Sequence, residues 1–147
     1  MRKDSHRRIA VFGMGVIGGG PLNQGIPAIA DLFKRLSLHY QIEFYSFSHI
    51  DTSYVPPSIR VTQVTSWRIP GRAKYILLML RFLINHIFRR YDLIFAVAAY
   101  PTGQYAVAIS KLIKKPVLVQ FIALEAVCLQ DIGYGNLCIP WLKRITA

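Results

Sequence analysis

RIAVFGMGVIGGGPLNQG, residues 8–25, is the stretch on which the reading of the chain turns. Ile9, Ala10, Val11 and Phe12 form an unbroken apolar run that passes directly into a glycine-rich loop. Continuous rather than alternating apolarity suits a strand covered on both faces, hence a central strand of a parallel sheet. A strand that feeds such a loop commonly presents free backbone N–H groups to a phosphate or another anion.

Gly13-Met14-Gly15-Val16-Ile17-Gly18 formally matches the dinucleotide fingerprint, and two requirements test it. The helix must begin at once, because the pyrophosphate sits on its N-terminus. Its first turns would be Val16-Ile17-Gly18-Gly19-Gly20-Pro21. Glycine costs ~1 kcal/mol and proline ~3 kcal/mol in a helix interior, which forbids a helix there. The plausible helix starts near Gly25, with Pro27 in its first turn where proline is tolerated. An acidic residue should also close the second strand and hold the ribose. That strand ends Tyr45-Ser46-Phe47-Ser48, with Glu43 inside it and Asp51 beyond it. A nicotinamide cofactor is not expected.

Outward from this junction, strands and helices alternate. Residues 25–39 carry Ile26, Ile29, Phe33 and Leu36 three and four apart, an amphipathic helix. Residues 41–47 read as a second strand, and 59–65 as an alternating third strand nearer an edge. Residues 92–98 read as a buried fourth strand and 116–121 as a fifth strand, with a Pro101 turn and a helix over 103–114 between them. The last stretch is loop-like until Pro140 opens a further helix. The fold class expected is α/β, a Rossmann-like doubly wound parallel sheet.

Residues 72–90 predict a long helix that is apolar nearly all round, apart from a seam of Lys74, Arg81, Asn85 and Arg89. Burial between the sheet and neighbouring elements is the expectation. The alternative is a surface helix that presses into lipid with its basic residues at headgroup level.

At 147 residues the chain is long enough for one domain with a proper core. Lys and Arg number 18 against 7 Asp and Glu, a net charge of +11 that favours anionic partners. The basic residues are dispersed, and no RNP-like strand, KH loop or helix-turn-helix signature accompanies them, so nucleic acid is not expected. Cys128 and Cys138 are expected as two buried free thiols in a reducing cytosolic compartment, with a redox pair as the alternative. The start MRKDSHRR lacks the apolar core of a signal peptide, and no apolar run reaches the ~20 residues of a membrane span. None of His6, His39, His49 and His86 is expected at the C-terminal end of a central strand, and only His86 is placed in a buried setting.

The tri-glycine loop after the first strand, the segment YDLIFAVAAYPTGQYA (91–106), KKPVLVQF (114–121) and the tail DIGYGNLCIPWLKR (131–144) follow one another in a telling order. In this order and spacing the chain resembles the N-terminal domain of GT-B glycosyltransferases of the retaining family 4. The resemblance runs over most of residues 8–147, after a basic segment at 1–7. It implies an acceptor-binding domain that forms one wall of a cleft, with the nucleotide-sugar held by a C-terminal domain that has no counterpart in this sequence.

It further implies that Gly18, Gly19 and Gly20 approach the donor diphosphate or acceptor, and that Asn23, Tyr100 and Thr102 face the acceptor side of the cleft. The family often carries a His-Gly-x-Asp-like segment after the fifth strand. Here those positions read Ile122-Ala123-Leu124-Glu125, so the histidine role does not carry over and Glu125 alone keeps an acidic group. The resemblance implies no metal ligand and no cofactor beyond the nucleotide-sugar substrate. Its partners are a glycan or lipid-linked acceptor, a catalytic partner subunit and the cytoplasmic face of a membrane. A chain with only this half is not expected to transfer sugar alone, and a regulatory domain that recruits a partner is the alternative.

Overall fold

Among the described residues five strands, numbered β1 to β5 in chain order, pair in parallel in one sheet, and β1 (Arg8–Gly13) lies at the centre. The computed structural model describes residues 7–18, 25–64, 71–122, 128, 129, 131 and 138–140, with residues 71 and 72 by backbone only. β2 (Gln41–Ser46) and β3 (Ile59–Gln63) extend the sheet on one side of β1, while β4 (Leu93–Val97) and β5 (Val117–Gln120) extend it on the other. Register aligns Ile9 with Ile42 and with Leu93, so the apolar strands meet side by side. β3 is an edge strand, as its alternation predicts. This is an α/β Rossmann-like sheet, as the strand–helix alternation leads one to expect.

Two cores follow from the two-residue side-chain period of the strands. On one face Val11, Phe44 and Val97 pack under α1 (Pro27–Leu36), which inserts Ile29 and Phe33. The Phe33 ring meets Phe44 and Phe95 edge-on, at centroid separations of 6.0 and 5.3 Å. On the other face Phe12, Tyr45, Ala96 and Ile94 pack under α2 (Gly71–Arg89) and α3 (Gln104–Ile113). Leu78 and Phe82 are the buried anchors of α2, and Ala106 and Ile109 those of α3.

The long helix departs from the sequence expectation. It is covered on one side, by the sheet, while Ile76, Leu80, Ile84, Ile87 and Phe88 on its other side are exposed among the described residues. The polar seam also splits. Asn85 and Arg89 turn inward to the sheet, whereas Arg81 stays outside. The reason is Glu43, a carboxylate carried into the sheet by its strand, which draws the inward polar groups to itself.

The cysteine expectation is corrected as well. Cys128 and Cys138 form a disulfide, their Cα atoms 4.9 Å apart and both residues half-buried. Ten positions apart in sequence, the two Cα atoms lie within the range a disulfide spans. The two cysteines are thus a bonded pair, the alternative to two free thiols. No described helix is long and apolar enough to cross a membrane.

Candidate functional site

The strand order places a topological switch point between β1 and β4, where successive connections leave to opposite sides of the sheet. Ligands of open α/β sheets bind in the crevice outside the strand C-termini at such a point. Two turns built by local sequence meet there.

The first follows β1. A Cβ on Gly13 would stand 2.5 Å from Cζ of Phe44, so only glycine lets β1 end against that ring. Gly15 then turns the chain at φ +66°, a conformation glycine adopts freely. Val16 and Ile17 dive into the α1-side core, and Ile26 N–H returns to Val16 O at 3.1 Å to close the loop onto the helix start. Gly18 is buried, and a Cβ there would collide with the Ile50 side chain and lie 3.2 Å from Asp51 O. Its want of a side chain serves this packing against the β2–β3 connection. Gly19, Gly20 and Asn23, expected in the same loop, lie outside the described residues, as does Glu125.

The second turn follows β4. Ala98 adopts φ +86°, the Tyr100–Pro101 peptide is cis, and Gly103 N–H closes the turn on Ala98 O at 3.0 Å. Thr102 is fully buried, and its hydroxyl reaches Val97 O and Ala98 O, each at 2.7 Å. Thr102 therefore locks the turn from within, while Tyr100 stands partly exposed on the rim. α3 begins immediately after, with Gly103 N–H bonded to Ala98 O and Gln104 N–H to Pro101 O, so the turn runs into the helix without a break. At the end of β5 the Gln120 Oε1 atom is buried with no hydrogen-bond partner among the described residues.

His49 is exposed in the loop that follows β2, outside any strand as expected. The Ser46–His49 segment folds over the Gly15 turn, where a Cβ on Gly15 would lie 2.8 Å from Ser48 Oγ and 3.9 Å from His49 O. An exposed histidine thus stands at the C-terminal edge of the sheet, beside the first turn. The signal was its position three residues beyond the end of β2. Among the described residues no group of three His, Cys, Asp or Glu side chains could hold a metal ion.

A second polar cluster lies toward the opposite end of the strands, on the α2 side. Glu43 is only 4% exposed. It forms an ion pair with Arg89, accepts from Tyr91 Oη, and accepts from Thr62 Oγ1 at 3.0 Å and Asn85 Nδ2 at 3.3 Å. Asn85 also donates to Tyr45 Oη at 2.8 Å, and the Tyr45 and Tyr91 hydroxyls are 2.8 Å apart. Since the Tyr91 proton points at Glu43, Tyr45 is the donor to Tyr91, which gives a directed chain from Asn85 to the carboxylate.

Burial pushes the Tyr45 phenol up to about 12, and burial together with the hydrogen bond to Glu43 pushes Tyr91 higher still. Both therefore remain donors near neutral pH. Burial opposes the charge of Arg89, but hydrogen bonds and charge from Glu43 and Tyr91 outweigh it and raise its pKa. Glu43 and Arg89 also line a polar surface cavity of about 380 Å³ with Arg8, Gln41 and Arg60. The clue in the sequence was a glutamate inside an apolar strand, with Asn85 and Arg89 four apart on an otherwise apolar helix.

Compared with protein-family models and with curated proteins, the chain matches none. Among solved structures it is similar to two crystal structures of the C-terminal domain of a hydrogenase from Pyrococcus furiosus. The first has 13% identity and a TM-score of 0.49, over 78% of this chain and 92% of that one. The second also has 13% identity, with a TM-score of 0.48, over 78% and 91% respectively.

Proposed function

We propose that this chain is the acceptor-side domain of a GT-B-type glycosyltransferase. In this reading it acts with a donor-binding domain to move a sugar from a nucleotide-sugar to a glycan or lipid-linked acceptor. The observation that supports it is the meeting of two turns at the β1/β4 switch point. The Gly13–Gly18 turn, with Gly15 at φ +66° and Met14 exposed, follows β1, and the Ala98–Gly103 turn leads from the end of the neighbouring β4 into α3. A glycine-containing turn at the end of a central strand, at the switch point of an open α/β sheet, is the setting in which the phosphate of a nucleotide-sugar or of a lipid-linked acceptor would bind. The Tyr100 ring, exposed in the turn after β4, would pack against a sugar ring.

The test is an amide chemical-shift titration of the labelled chain with a polyprenyl-phosphate-linked sugar and with oligosaccharides. It is joined to a nucleotide-sugar turnover assay on the chain purified with whatever protein it retains. Shifts confined to residues 13–18 and 98–104, with turnover in the purified assembly, are expected. A partner retained without turnover would replace this reading with non-catalytic recruitment. No shift at the crevice with any acceptor would remove it.

A further inference from the structure

α2 is apolar on two opposite sides, and the sheet covers one of them. Leu78 and Phe82 point into the core, while Ile76, Leu77, Leu80, Ile84, Ile87 and Phe88 are exposed, the last two at 70% and 80%. Spacings of four and three residues keep these side chains on one broad face along the helix. Scattered exposed apolar residues are ordinary, whereas a contiguous stripe of this kind marks a surface that meets something apolar.

The charge around the stripe identifies its occupant. Arg81 and Lys74 flank one border of the face, and the exposed Arg90 follows the helix at its end. No acidic residue occurs between Asp51 and Asp92, while seven Lys or Arg do, in a chain of net charge +11. A second copy of this chain would set like charge against like charge along such a contact. A bilayer with anionic headgroups supplies an apolar interior for the stripe and negative charge for its cationic borders in one surface.

We propose that α2 is a membrane-docking helix that lies flat in the interface of an anionic bilayer, with Leu80, Ile84, Ile87 and Phe88 immersed. Apolar burial and electrostatic attraction then act together, with each basic residue near the surface worth ~1 kcal/mol. The sheet-facing side keeps the fold intact while the outer side engages lipid, so binding requires no opening of the core. This inference stands apart from sugar transfer, since it concerns a face of the molecule that the switch-point crevice does not use.

Flotation of the whole chain with phosphatidylcholine vesicles, with and without phosphatidylglycerol, at low and high salt, tests it. The protein is expected to float with phosphatidylglycerol vesicles at low salt and to be released by salt. The double variant Ile87→Glu/Phe88→Glu should lower the partition coefficient at least about tenfold. Its circular dichroism and melting temperature should stay unchanged, because both side chains face solvent. Lys74→Gln/Arg81→Gln should weaken binding and flatten its salt dependence. No flotation with either vesicle, or equal flotation of the glutamate variant, would overturn the proposal. So would sedimentation showing a dimer that the glutamate variant dissociates while vesicles bind neither protein.

Discussion

Replacing Glu43 with methionine removes a carboxylate that is 4% exposed while keeping much of its volume in the sheet. The change strands the Arg89 guanidinium and takes an acceptor from Tyr91, Thr62 and Asn85. Breaking a fully buried ion pair costs about 3–5 kcal/mol, and an exposed pair is worth about 0.2–1 kcal/mol. The Arg89 side chain is 32% exposed and can turn part of its charge to water, which places this pair between those limits. The loss of ordered acceptors for two buried hydroxyls adds to it, giving a net destabilisation of about 3 kcal/mol.

Arg89→Met leaves the carboxylate with neutral donors alone and should destabilise by about 2 kcal/mol. The double variant Glu43→Met/Arg89→Met should fall short of the summed losses by about 2 kcal/mol, because neither charge is then left stranded. Urea unfolding followed by circular dichroism, with slopes compared across all four proteins, measures this cycle. Single losses that add to within about 0.5 kcal/mol would show that Glu43 and Arg89 do not act as a pair, and would refute the account of the inward seam.

Gly18→Val should lower the melting temperature by several degrees, since its side chain has no room against Ile50; an unchanged melt with altered ligand binding would return Gly18 to a binding role. His86 accepts the Tyr91 N–H on Nδ1 at 3.2 Å, and burial, then Lys115, hold its pKa down against the opposing pull of Asp92. The unfolded chain therefore takes up the proton first, so stability present above about pH 6.5 is lost as the pH falls toward the depressed folded value. Thermal melts should show a smaller acid-side loss in His86→Asn than in the parent, and equal losses would count against it. Alkylation without reductant followed by intact-mass measurement should find no free thiol, and Cys138→Ser should destabilise by at most about 3 kcal/mol, the closure entropy of a loop this short. Two alkylated cysteines in the untreated protein would remove the disulfide.

The sheet was legible in the residues alone. An unbroken apolar run before a glycine loop, followed by alternation of strand and helix, requires a parallel α/β arrangement with β1 inside, because only a strand covered on both faces tolerates that pattern. The sequence also excluded the dinucleotide helix, since the cost of Gly18-Gly19-Gly20-Pro21 in a helix is local and needs no tertiary knowledge.

Which way α2 faces was beyond its reach. A helix apolar on two sides has two plausible inward faces, and periodicity cannot choose between them. The choice was made by Glu43, distant in sequence, whose buried carboxylate needs Asn85 and Arg89 on the inner side and so sends Ile84, Ile87 and Phe88 outward. Likewise a glycine that makes room for a ligand and one that makes room for Ile50 look the same in sequence. Only the packing of the β2–β3 connection showed that a side chain at Gly18 would meet Ile50.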